Sequence, residues 1–122
     1  MSETRRQAYA RGRAAELRCA LMLRLKGWRI LARRYHTPVG EIDLIAKHGD
    51  IVAAIEIKAR QSLAEALEAV TPRQKRRIEL AAAAFLSQHP KWSKLGFRFD
   101  VIAVTPWRLP HHVPDAWRPE AD

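Results

Sequence analysis

Apolar residues near the N-terminus recur at the spacing of a helix. Leu17, Leu21 and Leu25 stand at i, i+4 and i+8, and Gly27 follows as a stop signal. This pattern predicts an amphipathic helix over residues 4–26 with the three leucines on its apolar stripe.

Further along the chain, β-branched and aromatic residues alternate with polar ones and predict four strands. The predicted strands are 28–35, 41–46, 51–60 and 97–104. The second and third are joined by a four-residue connection that contains Gly49, which is hairpin length, so we expect them to be antiparallel neighbours.

A second helix is predicted to begin at Thr71 and Pro72 and to end near His89, because Thr71 with Gln74 three residues later is typical of a capped helix start. Its expected buried stripe is Ile78, Ala81, Ala82 and Phe85. The resulting order of helix, three strands, helix and strand indicates an α/β fold with a mixed central sheet flanked by helices.

The length of 122 residues fits one domain, which we assign to residues 1–104. Four prolines after position 104 predict an extended or irregular tail over 105–122, held to the body by Trp107 and Trp117. The His111-His112 pair lacks partners at metal-ligand spacing and is expected at the surface.

The net charge of +9 favours a polyanionic partner, and nucleic acid leads that class. A lone cysteine, the lack of a signal-peptide pattern and the lack of a long apolar run predict a cytoplasmic protein that does not act at a membrane.

Residues 36–70 carry 6 acidic and 3 basic groups between two strongly basic flanks. Since carboxylates repel phosphate, an acidic centre in a nucleic-acid-binding protein suggests a bound cation.

The hairpin brings several of these carboxylates together. Pairing Ala46 with Ile51 across the connection places alternate residues of both strands on one face. On this register the face carries Glu41, Asp43, Glu56, Lys58 and Arg60.

Carboxylates this close repel each other unless they are protonated or bind a cation, and hard oxygen ligands select Mg²⁺ or Mn²⁺. We therefore expect Asp43 and Glu56 to bind metal. Lys58 is placed to orient a water molecule or to stabilise charge on a phosphate. Glu16, on the shoulder of the first helix's stripe, is expected to reach the same site.

The start of the second helix is a candidate nucleic-acid contact. Gln74 and Lys75 lean toward the buried stripe, while three arginines crowd a helix N-terminus, where the helix dipole disfavours cations and favours a phosphate. The predicted nucleic-acid-binding residues are Arg60, Arg73, Gln74, Lys75, Arg76 and Arg77.

The same residues permit a structural interpretation. Asp43 and Glu56 would then form cross-strand ion pairs with Lys58 and Arg60, each contributing little stability. Spacing alone leaves both interpretations open.

The segments GEIDLI at 40–45 and IEIKAR at 55–60 resemble the signature of the YraN family, bacterial proteins assigned to the PD-(D/E)xK nuclease superfamily. The first helix with Gly12 and Glu16, the Thr71-Pro72 helix start and the segment FDV at 99–101 fit the family in order. The family usually has Lys then Gln where this chain has Gln74-Lys75.

The resemblance implies a restriction-endonuclease-like core that binds one or two Mg²⁺ ions through Asp43, Glu56 and the backbone carbonyl of Ile57. It also implies that Lys58 assists catalysis. Glu16 matches the helix acid of the Holliday-junction-resolvase-like branch, which implies branched or structured substrates and a homodimer.

We therefore expect a metal-dependent endonuclease that hydrolyses phosphodiester bonds, with DNA favoured over RNA. The alternative is a nucleic-acid-binding adaptor that does not cleave and has a protein partner. A structural interaction module would explain the tail tryptophans but not the carboxylates.

Overall fold

Five strands form one open mixed sheet in the order β1-β2-β3-β4-β5. The computed structural model describes residues 4–120. The strands are β1 Arg29–Thr37, β2 Gly40–His48, β3 Ile51–Ala59, β4 Gly96–Val104 and β5 His111–Trp117. The helices are α1 Arg5–Leu25, α2 Leu63–Glu68 and α3 Pro72–Gln88, and a 3-10 turn covers Pro90–Lys94.

Helix α1 is confirmed, but its predicted buried face is wrong. Leu17, Leu21 and Leu25 are 48%, 57% and 79% exposed. The buried side consists of Ala15, Glu16, Cys19, Ala20 and Leu23. Small residues on that side allow the helix to lie close to the sheet, whereas the leucine stripe faces outward.

The β2–β3 hairpin is antiparallel as predicted, but its register differs by two residues. His48 pairs with Ile51 across a two-residue turn in which Gly49 adopts φ +58°. The predicted pairing of Ala46 with Ile51 is therefore wrong, and Ala46 lies opposite Ala53. Because side chains alternate with a period of two, an even shift keeps Asp43 and Glu56 on one face. Ile42 departs from the alternation, since it packs under α3 with Val52 whereas Leu44 packs under α1.

The connection from β3 to the parallel strand β4 contains both remaining helices. In α3, the Thr71 hydroxyl accepts a hydrogen bond from the Gln74 N–H, and the predicted stripe is buried. The segment before it, to which the sequence pattern assigned no element, forms α2. The Ser62 hydroxyl caps α2 by accepting from the Glu65 N–H.

Strand β5 lies in the segment predicted as an extended or irregular tail. Residues 111–117 are extended, but they form a fifth strand of the sheet, which was not predicted. Its partner is β4, and the pairing register shifts between Phe99 and Val101. A proline is tolerated because β5 is an edge strand. Trp117 stacks on Phe99 with ring centroids 5.2 Å apart, whereas Trp107 is fully exposed and holds nothing in place.

Two apolar layers cover the sheet. On one face α3 packs over residues that include Ile42, Val52 and Phe99. On the other face α1 packs over residues that include Leu44 and Ile55. No helix within residues 4–120 is long and apolar enough to cross a membrane.

Candidate functional site

A cavity of about 230 Å³ opens where β2 and β3 emerge from beneath α3. We call it the carboxylate cavity. Its lining includes Glu41, Asp43, Glu56, Lys58, Gln74 and Arg77. The sheet therefore brings together Asp43, Glu56 and Lys58, as predicted from the hairpin.

The alternation of β3 explains how a charged cluster comes to border the core. Val52 and Ala54 face α3 and belong to its apolar layer. Glu56 and Lys58 continue the same face by the period of two, beyond the apolar part of the strand. Continuing the observed register by one residue pair places Asp43 opposite Glu56.

Asp43 is held in place by the backbone of β3. Its carboxylate accepts a hydrogen bond from the N–H of Ile57 at 2.8 Å. This bond turns the Asp43 side chain toward β3, beside Glu56. Near the mouth of the cavity, the exposed Glu41 pairs with Arg77 at 2.9 Å, which lowers the pKa of Glu41 through that hydrogen bond.

Glu56 is a buried acid with an unusual protonation equilibrium. Glu56 is 6% exposed. The pKa of its carboxyl is raised to about 9, mainly by burial and also by the hydrogen bond with Asp43 and the charge of Asp43. Lys58 opposes this rise, with its ammonium nitrogen 3.6 Å from the Glu56 carboxylate. Without another cation, the Glu56 carboxyl is therefore protonated at neutral pH.

The donor set fits a hard divalent cation. Mg²⁺ commonly binds one or two carboxylates and completes its shell with water or phosphate oxygens. Asp43 and Glu56 provide two carboxylates whose charges would no longer repel beside a cation. In the described part of the chain, no group of three or more His, Cys, Asp or Glu side chains is arranged to hold a metal. Water or substrate oxygens would therefore have to supply several ligands.

Glu16 lies over the opposite face of the sheet. It is buried on α1, and its carboxylate pairs with Arg33 at 3.1 Å and Arg34 at 3.7 Å. It lines a second cavity, of about 340 Å³, which also contains Asp43 and Lys58. The structure therefore places Glu16 beside Asp43 but outside the carboxylate cavity.

The predicted contacts of α3 divide between two sides of the helix. Gln74 and Arg77 line the carboxylate cavity. Lys75 lies over the Trp117 ring at 5.7 Å, and Arg76 pairs with Glu79 at 3.8 Å, so both belong to a separate cavity toward β5. Arg73 is exposed at the start of the helix. Arg60 lies at the end of β3 and lines the second cavity.

Comparison with known proteins identifies the family. The profile of the uncharacterised protein family UPF0102 matches residues 15–104. The chain belongs to family UPF0102. A UPF0102 protein of Paramagnetospirillum magneticum is 50% identical over 96% of this chain and 94% of its own length. Those of Rhizobium meliloti and Mesorhizobium japonicum are each 52% identical, over 91% and 95% of this chain and 91% and 93% of their own lengths.

In this UPF0102 protein, the matched region contains the whole carboxylate cavity. Sequence reasoning missed three residues of the second cavity, namely Tyr9, Arg13 and Arg34. The arginine-rich composition of α1 indicated a basic surface, but not which arginines face the sheet. Nothing in the sequence marked Arg34, whose position depends on a left-handed backbone conformation with φ +52°.

Proposed function

We propose that this UPF0102 protein is a metal-dependent endonuclease that hydrolyses phosphodiester bonds in DNA or structured nucleic acid. One observation carries the proposal: Asp43 and the buried Glu56 line one cavity with Lys58, whose ammonium lies 3.6 Å from the Glu56 carboxylate. Two acids placed this closely destabilise a fold unless one is protonated or a cation binds beside them, and a bound metal ion would supply that cation. The surrounding chain, with a net charge of +9, suits a phosphate-bearing substrate.

Asp43, Glu56 and the backbone carbonyl of Ile57 would hold Mg²⁺ or Mn²⁺. Such an ion activates water and neutralises charge on a phosphate. The protein's own contribution is positional. The Ile57 N–H fixes the Asp43 carboxylate, and Lys58, 14% exposed, presents its ammonium where charge develops on the phosphate.

The hairpin supports assignment to the PD-(D/E)xK nuclease superfamily with its restriction-endonuclease-like core. Asp43 on β2 and the Glu56-Ile57-Lys58 run on β3 meet at one cavity, which is the arrangement that the resemblance implies. The mixed sheet with helices on both faces is compatible with that core. A preference for DNA over RNA, a homodimer and a cytoplasmic location stay predictions.

A second candidate is a nucleic-acid-binding adaptor that does not cleave. The observation in its favour is that the Lys58 ammonium already lies 3.6 Å from Glu56. The Lys58 ammonium in that position offsets the negative charge of the carboxylates without a metal ion.

A cleavage assay separates the two candidates. Labelled single-stranded, duplex and branched DNA are incubated with the protein in Mg²⁺, in Mn²⁺ or in EDTA. We expect cleavage with either metal and none in EDTA. Glu56→Gln should lower the rate by at least about a hundredfold, since a metal ligand is lost.

The matched control is Glu68→Gln, which removes one carboxylate from the exposed end of α2 outside the cavity. It should cleave like the parent. No metal-dependent cleavage of any substrate would rule out the nuclease and favour the adaptor. Equal metal-dependent cleavage by the parent and Glu56→Gln would remove Glu56 from the metal site.

A further inference from the structure

The second cavity, between α1 and the sheet, contains two guanidinium groups that converge on one phenol oxygen. Arg34 donates a hydrogen bond to the Tyr9 hydroxyl at 3.0 Å, and Arg13 donates to the same oxygen at 3.3 Å. Like charges repel, so two arginines are brought together in this way only with compensation nearby. We call this space the arginine cavity.

Arg13 has a donor that the protein does not satisfy. Its Nε is buried, and within the described residues it has no hydrogen-bond partner. A buried N–H without an acceptor is costly, and a bound group with an acceptor oxygen would remove that cost. A tetrahedral anion offers several acceptor oxygens to adjacent guanidiniums.

Arg34 adopts a strained backbone in the middle of a strand. Its φ of +52° falls in the left-handed region, which a residue with a Cβ seldom adopts. Such strain concentrates at functional sites, where it directs a side chain. Here the Arg34 side chain lines the cavity and reaches Tyr9 and Glu16.

The charge of the lining favours an anion. Five basic side chains face two acidic ones, which are Glu16 and Asp43. The basic residues are Arg11, Arg13, Arg34, Lys58 and Arg60. Glu16 supplies part of the counter-charge for Arg34, and an incoming anion would supply more.

The arginine cavity adjoins the carboxylate cavity. Asp43, Ile57 and Lys58 line both, so the two cavities meet at these residues. A nucleic-acid strand that crosses Lys58 would have one phosphate at the carboxylates and another among the arginines.

We propose that the arginine cavity is a phosphate subsite for the substrate strand, in which Arg13 and Arg34 donate to the phosphate oxygens and Tyr9 holds the two guanidiniums side by side. This inference rests on the proposed function, because it takes the substrate to be a nucleic-acid strand. The bound group is either an internal phosphodiester or a terminal 5′-phosphate, and both offer the same oxygens.

The test uses two fluorescently labelled single-stranded DNA decamers that differ only in a 5′-phosphate or a 5′-hydroxyl. Binding is followed by anisotropy in EDTA over a range of salt concentrations. We expect Arg13→Met and Arg34→Gly each to weaken binding about tenfold, as the loss of a charged hydrogen bond does. The log–log salt slope should flatten by about 0.7 for each lost contact.

The control is Arg24→Met, which removes the same charge from an exposed position at the other end of α1. It should bind within about twofold of the parent, since a distant exposed charge is screened. Glycine suits the left-handed backbone, so Arg34→Gly should melt no lower than the parent, and its lost affinity then reflects the lost guanidinium.

An equal loss with both decamers identifies an internal phosphate, and a loss confined to the phosphorylated decamer identifies a terminal one. Affinities of Arg13→Met and Arg34→Gly equal to that of Arg24→Met would overturn the subsite. The nuclease proposal fails separately. If the parent binds DNA through these arginines but does not cleave it, the subsite is supported and the nuclease proposal is wrong. If Arg13→Met and Arg34→Gly bind and cleave like the parent, the nuclease is supported and the subsite is wrong.

Discussion

Gly40, the first residue of β2, packs directly against the backbone of Arg77 in α3, so that a Cβ atom at Gly40 would overlap the Arg77 carbonyl oxygen. This contact sets the distance between the sheet and the helix above the carboxylate cavity. It also places Glu41 beside the Arg77 guanidinium, with which it pairs. The strand that carries Asp43 is thereby fixed relative to the helix that carries Gln74.

Gly40→Ala should therefore separate β2 from α3. The added methyl group meets rigid backbone rather than a flexible side chain, so we expect destabilisation by about 2 kcal/mol or more. Urea unfolding measures it. The control is Gly12→Ala on α1, where a Cβ meets nothing within 4 Å and alanine favours the helix, so stability should rise by up to about 1 kcal/mol. A Gly40→Ala protein as stable as the parent would show that the close contact is not required.

The buried acid pair predicts an unusual dependence of stability on pH. The folded protein raises the pKa of Glu56 to about 9, above its usual value near 4.5, so the folded state binds the Glu56 proton more tightly than the unfolded state does. The stability from this proton is complete below about pH 4.5 and is lost as the pH rises toward 9. Its slope is at most about 1.4 kcal/mol per pH unit.

In EDTA, the melting temperature of the parent should therefore fall between pH 6 and pH 9. Glu56→Gln imitates the neutral acid and should flatten the profile. Mg²⁺ or Mn²⁺ should reverse the fall in the parent by binding the ionised pair, and should leave Glu56→Gln unaffected. A parent whose profile matches that of Glu56→Gln in EDTA would contradict the protonated state of Glu56.

Asp100, on β4, contributes stability whose pH dependence is opposite to that of Glu56. It is fully buried and accepts hydrogen bonds from Arg98, from the His112 ring at 2.7 Å and from the Asp115 N–H. Burial alone would raise the pKa of Asp100, but these bonds together lower it. The stability that it provides is present above the ordinary pKa of an aspartate and is lost as the pH falls below it.

Asp100→Asn should cost about 3 kcal/mol at pH 7, because it leaves buried cationic and polar groups without their carboxylate. Chemical denaturation at pH 7 and at pH 3.5 measures the free energy of unfolding, and the difference between Asp100→Asn and the parent should be smaller at pH 3.5. Asp115→Asn is the control. Its carboxylate makes an exposed pair with Arg118, and asparagine tolerates its φ of +52°, so the change should be within about 0.5 kcal/mol.

The carboxylate cavity was predictable because its geometry depends on parity. The predicted hairpin length led to a register wrong by two residues, yet Asp43 and Glu56 still share the cavity. An error of one residue would have put them on opposite faces. The prediction of the site therefore depended on the parity of the hairpin register and not on the exact length of the turn.

Other features depended on tertiary contacts that local patterns do not contain. On α1, the stripe ending at Leu25 and the face ending at Leu23 both have helical spacing, and only packing on the sheet selects the second. Strand β5 was not predicted because Pro114 is unfavourable in a central strand. β5 lies at the edge of the sheet, where a proline is tolerated. His112, expected at the surface, is half-buried against Asp100, a partner 12 residues away.

A single substitution distinguishes the three interpretations of the carboxylate pair. Asp43→Asn keeps the size of the side chain and an oxygen that accepts from the Ile57 N–H, but it removes one negative charge. For a nuclease, metal affinity falls and cleavage drops by orders of magnitude. Metal-free affinity for DNA behaves oppositely, because the lost charge no longer repels phosphate, and it should stay equal or improve by roughly 1 kcal/mol.

Stability provides the third measurement. In a nuclease without metal, Asp43→Asn removes one of the causes that raise the pKa of Glu56, so Glu56 ionises more readily beside Lys58 and the melting temperature should stay unchanged or rise. In a purely structural ion pair, the same change leaves Lys58 with less negative charge beside it, so the melting temperature falls and activity follows the amount of folded protein. An adaptor shows no metal-dependent cleavage in the parent and retains its DNA affinity in the variant. Cleavage, DNA affinity and melting temperature measured on Asp43→Asn and the parent therefore give a different combination for each interpretation, and a variant that cleaves like the parent would remove Asp43 from the metal site.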